Sequence, residues 1–110
     1  MNIQIFGKKK CFETKKAERY FKERGIKYQF IDLLDKGMSK GEYRSVSAAV
    51  GGFEALVDKE NPDYCTVAYL LDEAKIEKLL ENPKLFKTPI VRNASLATVG
   101  CKPEIWKEWK

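Results

Sequence analysis

The stretch Asn2-Ile3-Gln4-Ile5-Phe6-Gly7-Lys8-Lys9-Lys10-Cys11-Phe12-Glu13-Thr14 decides the fold. Asn2 to Phe6 alternates, with Ile3 and Ile5 on one side, and ends at Gly7; a period of two is a strand. Past Cys11 the period changes. Ala17, Tyr20 and Phe21 recur at helical spacing as far as Arg24, and Gly25 follows the last turn as a helix cap. Lys27 to Leu33 alternates again, with Tyr28, Phe30 and Asp32 opposed to Gln29, Ile31 and Leu33. Strand, helix and strand within about thirty residues make a βαβ unit, with parallel strands and a right-handed crossover.

Outward from that unit the chain turns helical. Ser39-Lys40-Gly41-Glu42 is a capping box, after which Tyr43, Val46 and Val50 share a face up to Gly51-Gly52. A short helix over Phe53 to Val57 follows. Asn61-Pro62 predicts a capped helix running to about Leu71. Another spans Glu73 to about Glu81 and stops at Asn82-Pro83. Strands return with Thr88 to Arg92 and Leu96 to Val99 around Asn93-Ala94-Ser95, a hairpin, and Pro103 opens a last helix carrying Ile105, Trp106 and Trp109. The fold class expected is α/β, with a four-stranded mixed sheet and one domain over residues 1–110. A helical insert occupies about 37–86.

With two parallel strands and a hairpin antiparallel to the first, three positions meet at one sheet edge. They are the end of strand one, the start of strand three and the end of strand four. Cys11, Pro89 and Cys101 therefore converge, at the edge where open α/β sheets bind ligands. Cys65 lies in the insert and is not brought there. Proline at a strand's first residue is unremarkable, and the strand order leaves the Thr88-Pro89 bond open between cis and trans.

Composition narrows the chemistry. The 110 residues include no histidine, which excludes Cys–His and Ser–His–Asp nucleophiles and histidine-ligated metals. Three separated cysteines without a C-x-x-C pair are neither a disulfide scaffold nor a zinc site. No apolar run approaches the ~18 residues of a membrane helix, and the first residues do not read as a secretory signal, so a cytoplasmic location is expected. The net charge of +5 comes from 21 basic residues, 17 of them lysines interleaved with acids, which reads as a solvated surface rather than a nucleic-acid reader. Ser39 to Asp58 contains a Gly-Gly turn like that of a helix-turn-helix, but its second helix is short and lacks arginine.

Cys11 is the candidate nucleophile. It sits before the first turn of a helix, where free amides and the helix dipole favour an anion, with Lys8, Lys9, Lys10 and Lys15 nearby in sequence. The bland alternative is an inert cysteine whose lysines point to solvent.

Cys11 at the first strand–helix turn, the insert segment Ala55-Leu56-Val57-Asp58-Lys59-Glu60-Asn61-Pro62-Asp63-Tyr64, the run Lys87-Thr88-Pro89-Ile90-Val91 and the Val99-Gly100 turn together resemble the arsenate reductase-like (ArsC, Spx and YffB) branch of the thioredoxin superfamily. The resemblance covers nearly the whole chain. It implies a thioredoxin-like fold, a cis Thr88-Pro89 bond, and Cys11 in the place of the cysteine that attacks arsenate. Where family arsenate reductases hold the oxyanion with arginines, this chain has Asp58, and Lys87 with Thr88, which oppose arsenate as substrate. Spx relatives often carry C-x-x-C, whereas here Thr14 is the second member, able to hydrogen-bond a thiolate but not to form a disulfide.

The expectation is a thiol oxidoreductase. Cys11 attacks an electrophilic sulfur or oxyanion, Thr14 and Lys15 support its thiolate, and Cys101 or an external thiol resolves the adduct. Lys10, Lys87, Thr88, Pro89 and Gly100 contact the substrate. No metal or bound cofactor is expected; glutathione or another small thiol is the co-substrate, with thioredoxin or glutaredoxin as alternative donors. The rival is an Spx-like module binding a protein such as RNA polymerase without turnover, using the basic surface and the Trp106–Trp109 pair.

Overall fold

The computed structural model describes residues 3–109. Its elements are β1 (Ile3–Gly7), α1 (Phe12–Glu23), β2 (Tyr28–Asp32), α2 (Lys40–Val50), α3 (Phe53–Leu56), α4 (Asp72–Glu81), β3 (Ile90–Asn93), β4 (Leu96–Val99) and α5 (Pro103–Trp106). Asn2, expected to begin the first strand, lies outside the described residues. The sheet order is β2-β1-β3-β4; β1 and β2 run parallel, and β3 is antiparallel to both β1 and β4. This is the expected mixed sheet, with β1 at its centre.

Each face of the sheet carries its own core. Ile3, Ile5 and Val91 meet Ala17 and Phe21 of α1 and the buried Trp106 and Trp109 on one side. Phe6, Ile31, Leu33 and Ile90 meet the insert's Val46, Leu56, Val67 and Leu79 on the other. Trp106 packs its ring 5.1 Å from both Phe21 and Tyr20, and its indole Nε1 donates to Thr98 Oγ1 at 2.8 Å. The tryptophan pair therefore closes the core and offers no docking surface; Ile105 is the exposed apolar residue of that helix.

Local signals explain most boundaries. The capping box forms as read, with Glu42 N–H donating to Ser39 Oγ and Ser39 N–H to Glu42 Oε1. Gly25, at φ +68°, ends α1 in the left-handed region. The helix expected from Pro62 to Leu71 is instead a tight 3-10 turn over Pro62–Thr66. Thr66 and Val67 are β-branched and stiff, and the chain leaves the helical path to bury Val67, with Tyr69 and Leu71 exposed. A second 3-10 turn, Pro83–Leu85, was not expected. The hairpin turn is shorter than read: Asn93 pairs with Leu96, leaving Ala94 and Ser95 to turn. With α3 only four residues long, the α2–α3 pair is no groove-reading helix-turn-helix.

The insert is stitched to the sheet just ahead of β3. Lys87 N–H donates to Leu56 O at 2.8 Å, Asp58 N–H to Leu85 O at 2.6 Å, and Val57 bridges to Phe86. This seam forms one wall of the site.

Candidate functional site

The β1–α1 turn is closed by Cys11 N–H donating to Lys8 O at 3.0 Å, and α1 begins as Lys15 N–H donates to Cys11 O at 3.2 Å. Cys11 is thus the N-cap residue, in extended conformation, with its side chain at the free amides of the first turn. From across the sheet edge Thr88 Oγ1 donates to Cys11 Sγ at 3.0 Å, while Thr88 O lies 3.9 Å from the sulfur. The Thr88-Pro89 bond is cis. Strand order left that open and the resemblance implied it.

Burial of Cys11 by itself pushes its thiol up. The Thr14 and Thr88 hydroxyls and the amides of Thr14 and Glu13 outweigh it, so the thiol is held below the ordinary cysteine value. Sγ makes no capping hydrogen bond, yet these amides lie close enough to favour a charged sulfur. Thr14 is fully buried, and its hydroxyl has no hydrogen-bond partner. A group orphaned in this way costs stability unless the sulfur takes it. Its closeness to β1 depends on Gly7: a methyl there would overlap Thr14 Cγ2 and lie 2.7 Å from Oγ1.

A cleft of about 500 Å³ opens beside the sulfur, lined by Lys8, Asp58, Phe86, Lys87, Thr88 and Gly100 among others. Gly100 is fixed by its N–H donating to Pro89 O at 2.7 Å. The structure thus brings Thr14, Thr88 and Pro89 to Cys11, and Lys87 and Gly100 to the adjoining cleft. Lys10 and Lys15 are not brought there. Both are exposed; Lys15 lies on the outer side of α1 beside Arg19 and Lys22, because Thr14, Ala17 and Phe21 take the inward stripe. Lys9 faces Asp32 at 4.0 Å.

The lysine that reaches the site is Lys8. Its Nζ donates to Lys84 O at 2.9 Å and Phe86 O at 3.2 Å. Burial lowers its pKa, opposed by the charges of Asp58 and then Cys11. The run of three lysines held this signal, but only the turn selects which one points inward. Gly7 read as a strand end, and nothing in the sequence showed the close approach it permits.

Cys101 is half-buried and free. Burial raises its thiol, as do Glu13 and Glu104, against a lowering by Lys16. It therefore stands near the first turn of α1 with its thiol form favoured, a shift opposite in direction to that of Cys11. Cys65 is exposed on the insert, its sulfur 3.2 Å from Pro62 O. Among the described residues no cluster of His, Cys, Asp and Glu is arranged to hold a metal ion, and no helix is long and apolar enough to cross a membrane.

Residues 6–109 match the sequence model of the ArsC family. The chain belongs to that family. A relative from Oceanobacillus iheyensis, the global transcriptional regulator Spx 2, is 26% identical over 128 aligned positions, covering all of this chain and 94% of its own length. The solved arsenate reductase from Vibrio cholerae superposes with a TM-score of 0.86 at 25% identity, covering 98% of this chain and 97% of that one. A YffB protein gives 0.82 at 26% identity, with 96% of each chain covered. This ArsC-family chain accordingly has the thioredoxin-like fold, as the resemblance implied.

Proposed function

We propose that this protein is a thiol–disulfide oxidoreductase in which the Cys11 thiolate is the nucleophile. The observation that carries it is the convergence on one sulfur of the Thr88 hydroxyl at 3.0 Å, the Thr14 hydroxyl and the first-turn amides of α1. Each favours the charged sulfur, and the thiolate is the reactive form. Attack on a disulfide forms a mixed disulfide with Cys11 and releases the other half as a thiol. Glutathione or a similar small thiol then attacks the mixed disulfide and returns Cys11 to the thiolate, with Cys101 as the internal alternative.

Arsenate is disfavoured as the substrate. Asp58 stands on the cleft wall where an oxyanion would need a cation, and Lys87 is not a bidentate guanidinium. The test is intact mass after exposure of the reduced protein to glutathione disulfide, comparing wild type with Cys11→Ser and Cys101→Ser. The reading expects one glutathione adduct or one internal disulfide, lost in Cys11→Ser. An unmodified Cys11, or adducts that persist in Cys11→Ser at the same rate, overturns it.

The likeness to the Spx regulator supports a second reading, a module that binds a protein such as RNA polymerase without turnover. Under that reading Cys11→Ser retains partner binding in a pull-down; under the first it abolishes turnover.

A further inference from the structure

The cleft beside Cys11 carries both signs of charge at fixed places. Lys8 is held by two carbonyls, which leaves the third proton of its ammonium for a ligand. It lies within electrostatic range of both Asp58 and Cys11. Asp58 is half-buried at the seam, its backbone N–H on Leu85 O and its Oδ1 accepting Glu60 N–H at 3.1 Å. Among the described residues no hydrogen bond or ion pair takes its Oδ2. A cleft built for an oxyanion needs cations alone, and here a carboxylate would repel it. A ligand with one positive and one negative group uses both walls.

We infer that the cleft is a binding site for small zwitterionic disulfides of the cystine class. Asp58 takes the α-ammonium of the half-disulfide that Cys11 attacks, and Lys8, with Lys87 at the rim, takes its α-carboxylate. Both charges of such a half sit on the carbon next to its CH2–S group, which suits a cleft of about 500 Å³ whose wall includes Thr88, itself 3.0 Å from the sulfur. The inference rests on Cys11 being the nucleophile. The Cys11 thiolate bonds to one sulfur, the original S–S bond breaks, and the departing half leaves as a thiolate that takes a proton from water. Cys11 is oxidised to a mixed disulfide and the departing half is reduced to a thiol; an external thiol of the glutathione class reverses the first change.

The experiment compares rates of Cys11 modification by cystine, cystamine (no carboxylate), dithiodipropionate (no ammonium) and hydroxyethyl disulfide (neither). Each is divided by the rate of the same disulfide with a free cysteine peptide. Asp58→Asn is the informative variant, since an asparagine Oδ1 still accepts Glu60 N–H and the turn is kept. Wild type should favour cystine over either singly charged reagent by about fivefold, the scale of a partly screened ion pair. Asp58→Asn should erase that preference and slow cystamine, leaving dithiodipropionate unchanged or faster, and Asp58→Arg should make dithiodipropionate the fastest. Equal normalised rates in wild type, or a cystine preference that survives Asp58→Asn, overturns the assignment while leaving the oxidoreductase reading in place. A Cys11 that reacts with none of the four faster than the peptide overturns both.

Discussion

Gly7→Ala is the smallest change that tests how the sulfur is tuned, because it touches neither Cys11 nor the cleft. The added methyl would lie 2.7 Å from Thr14 Oγ1, 3.1 Å from its Cβ, and in overlap with Cγ2. Ordinary contacts lie near 3.5–4.0 Å, so β1 and the first turn of α1 must part by about an ångström. Neither is soft: Gly7 pairs with Asp32 in the central ladder and Thr14 is 1% exposed. Overpacking of this kind costs about 1–3 kcal/mol, and a chain of this size loses about 5 °C of Tm per kcal/mol. Moving the hydroxyl also takes away a donor available to a charged sulfur, worth about 1.5–3 kcal/mol when buried. At a partly exposed site screening reduces this to about 1 kcal/mol, or about fivefold less thiolate below the titration midpoint. The assay pairs thermal melts with the pH dependence of iodoacetamide alkylation. Gly7→Ala/Thr14→Ser, which deletes Cγ2, should recover most of the Tm. A Gly7→Ala protein with wild-type Tm and an unshifted alkylation profile would refute the reasoning.

Thr88→Val removes the donor 3.0 Å from Sγ and should lower alkylation at neutral pH by about fivefold, while Thr88→Ser restores it. Because the folded pKa of Cys11 lies below its unfolded value, the unfolded chain holds a proton between the two that the native chain lacks. The linked stability is full above about 8.5 and lost as pH falls through the folded value, so the Tm advantage of wild type over Cys11→Ser should widen as pH rises from the folded value towards about 8.5. Above that range the raised Cys101 thiol acts with the opposite sign. Lys8→Met leaves Phe86 O without its side-chain donor and Lys84 O with Asn61 Nδ2 alone, so hydrogen exchange should quicken at Asp58 and Lys87 across the seam. Trp106→Phe strands Thr98 Oγ1 and should cost about 1–3 kcal/mol by urea melts.

The parts of the fold that obey a period could be read directly. Ile3 and Ile5, the Ala17–Phe21 stripe and the hairpin strands follow from alternation and helical spacing, and their order alone carried Cys11, Pro89 and Cys101 to one edge. The insert was less legible where packing overrides pattern: Val67 is buried by a chain that leaves the helix, and Pro83–Leu85 winds only to place Leu85 and Phe86 in the core. At the site, the placement of Cys11 was legible from a helix start and the edge geometry, and Thr14 from the resemblance; Thr88 was read as a substrate contact, and its hydroxyl on Sγ was not foreseen. The choice of Lys8 over Lys10 and Lys15 was not, since it depends on one turn closed by Cys11 N–H on Lys8 O. Gly7's role is a distance between two elements, which no local pattern encodes.

The account stands or falls on the ionisation of Cys11. Ultraviolet thiolate absorbance of reduced wild type, minus that of Cys11→Ser across pH, isolates this group. The account predicts a midpoint clearly below about 8.5, the ordinary cysteine value. A midpoint at or above that value would mean that the hydroxyls and amides around Sγ do not overcome its burial, and Cys11 would not be an activated nucleophile.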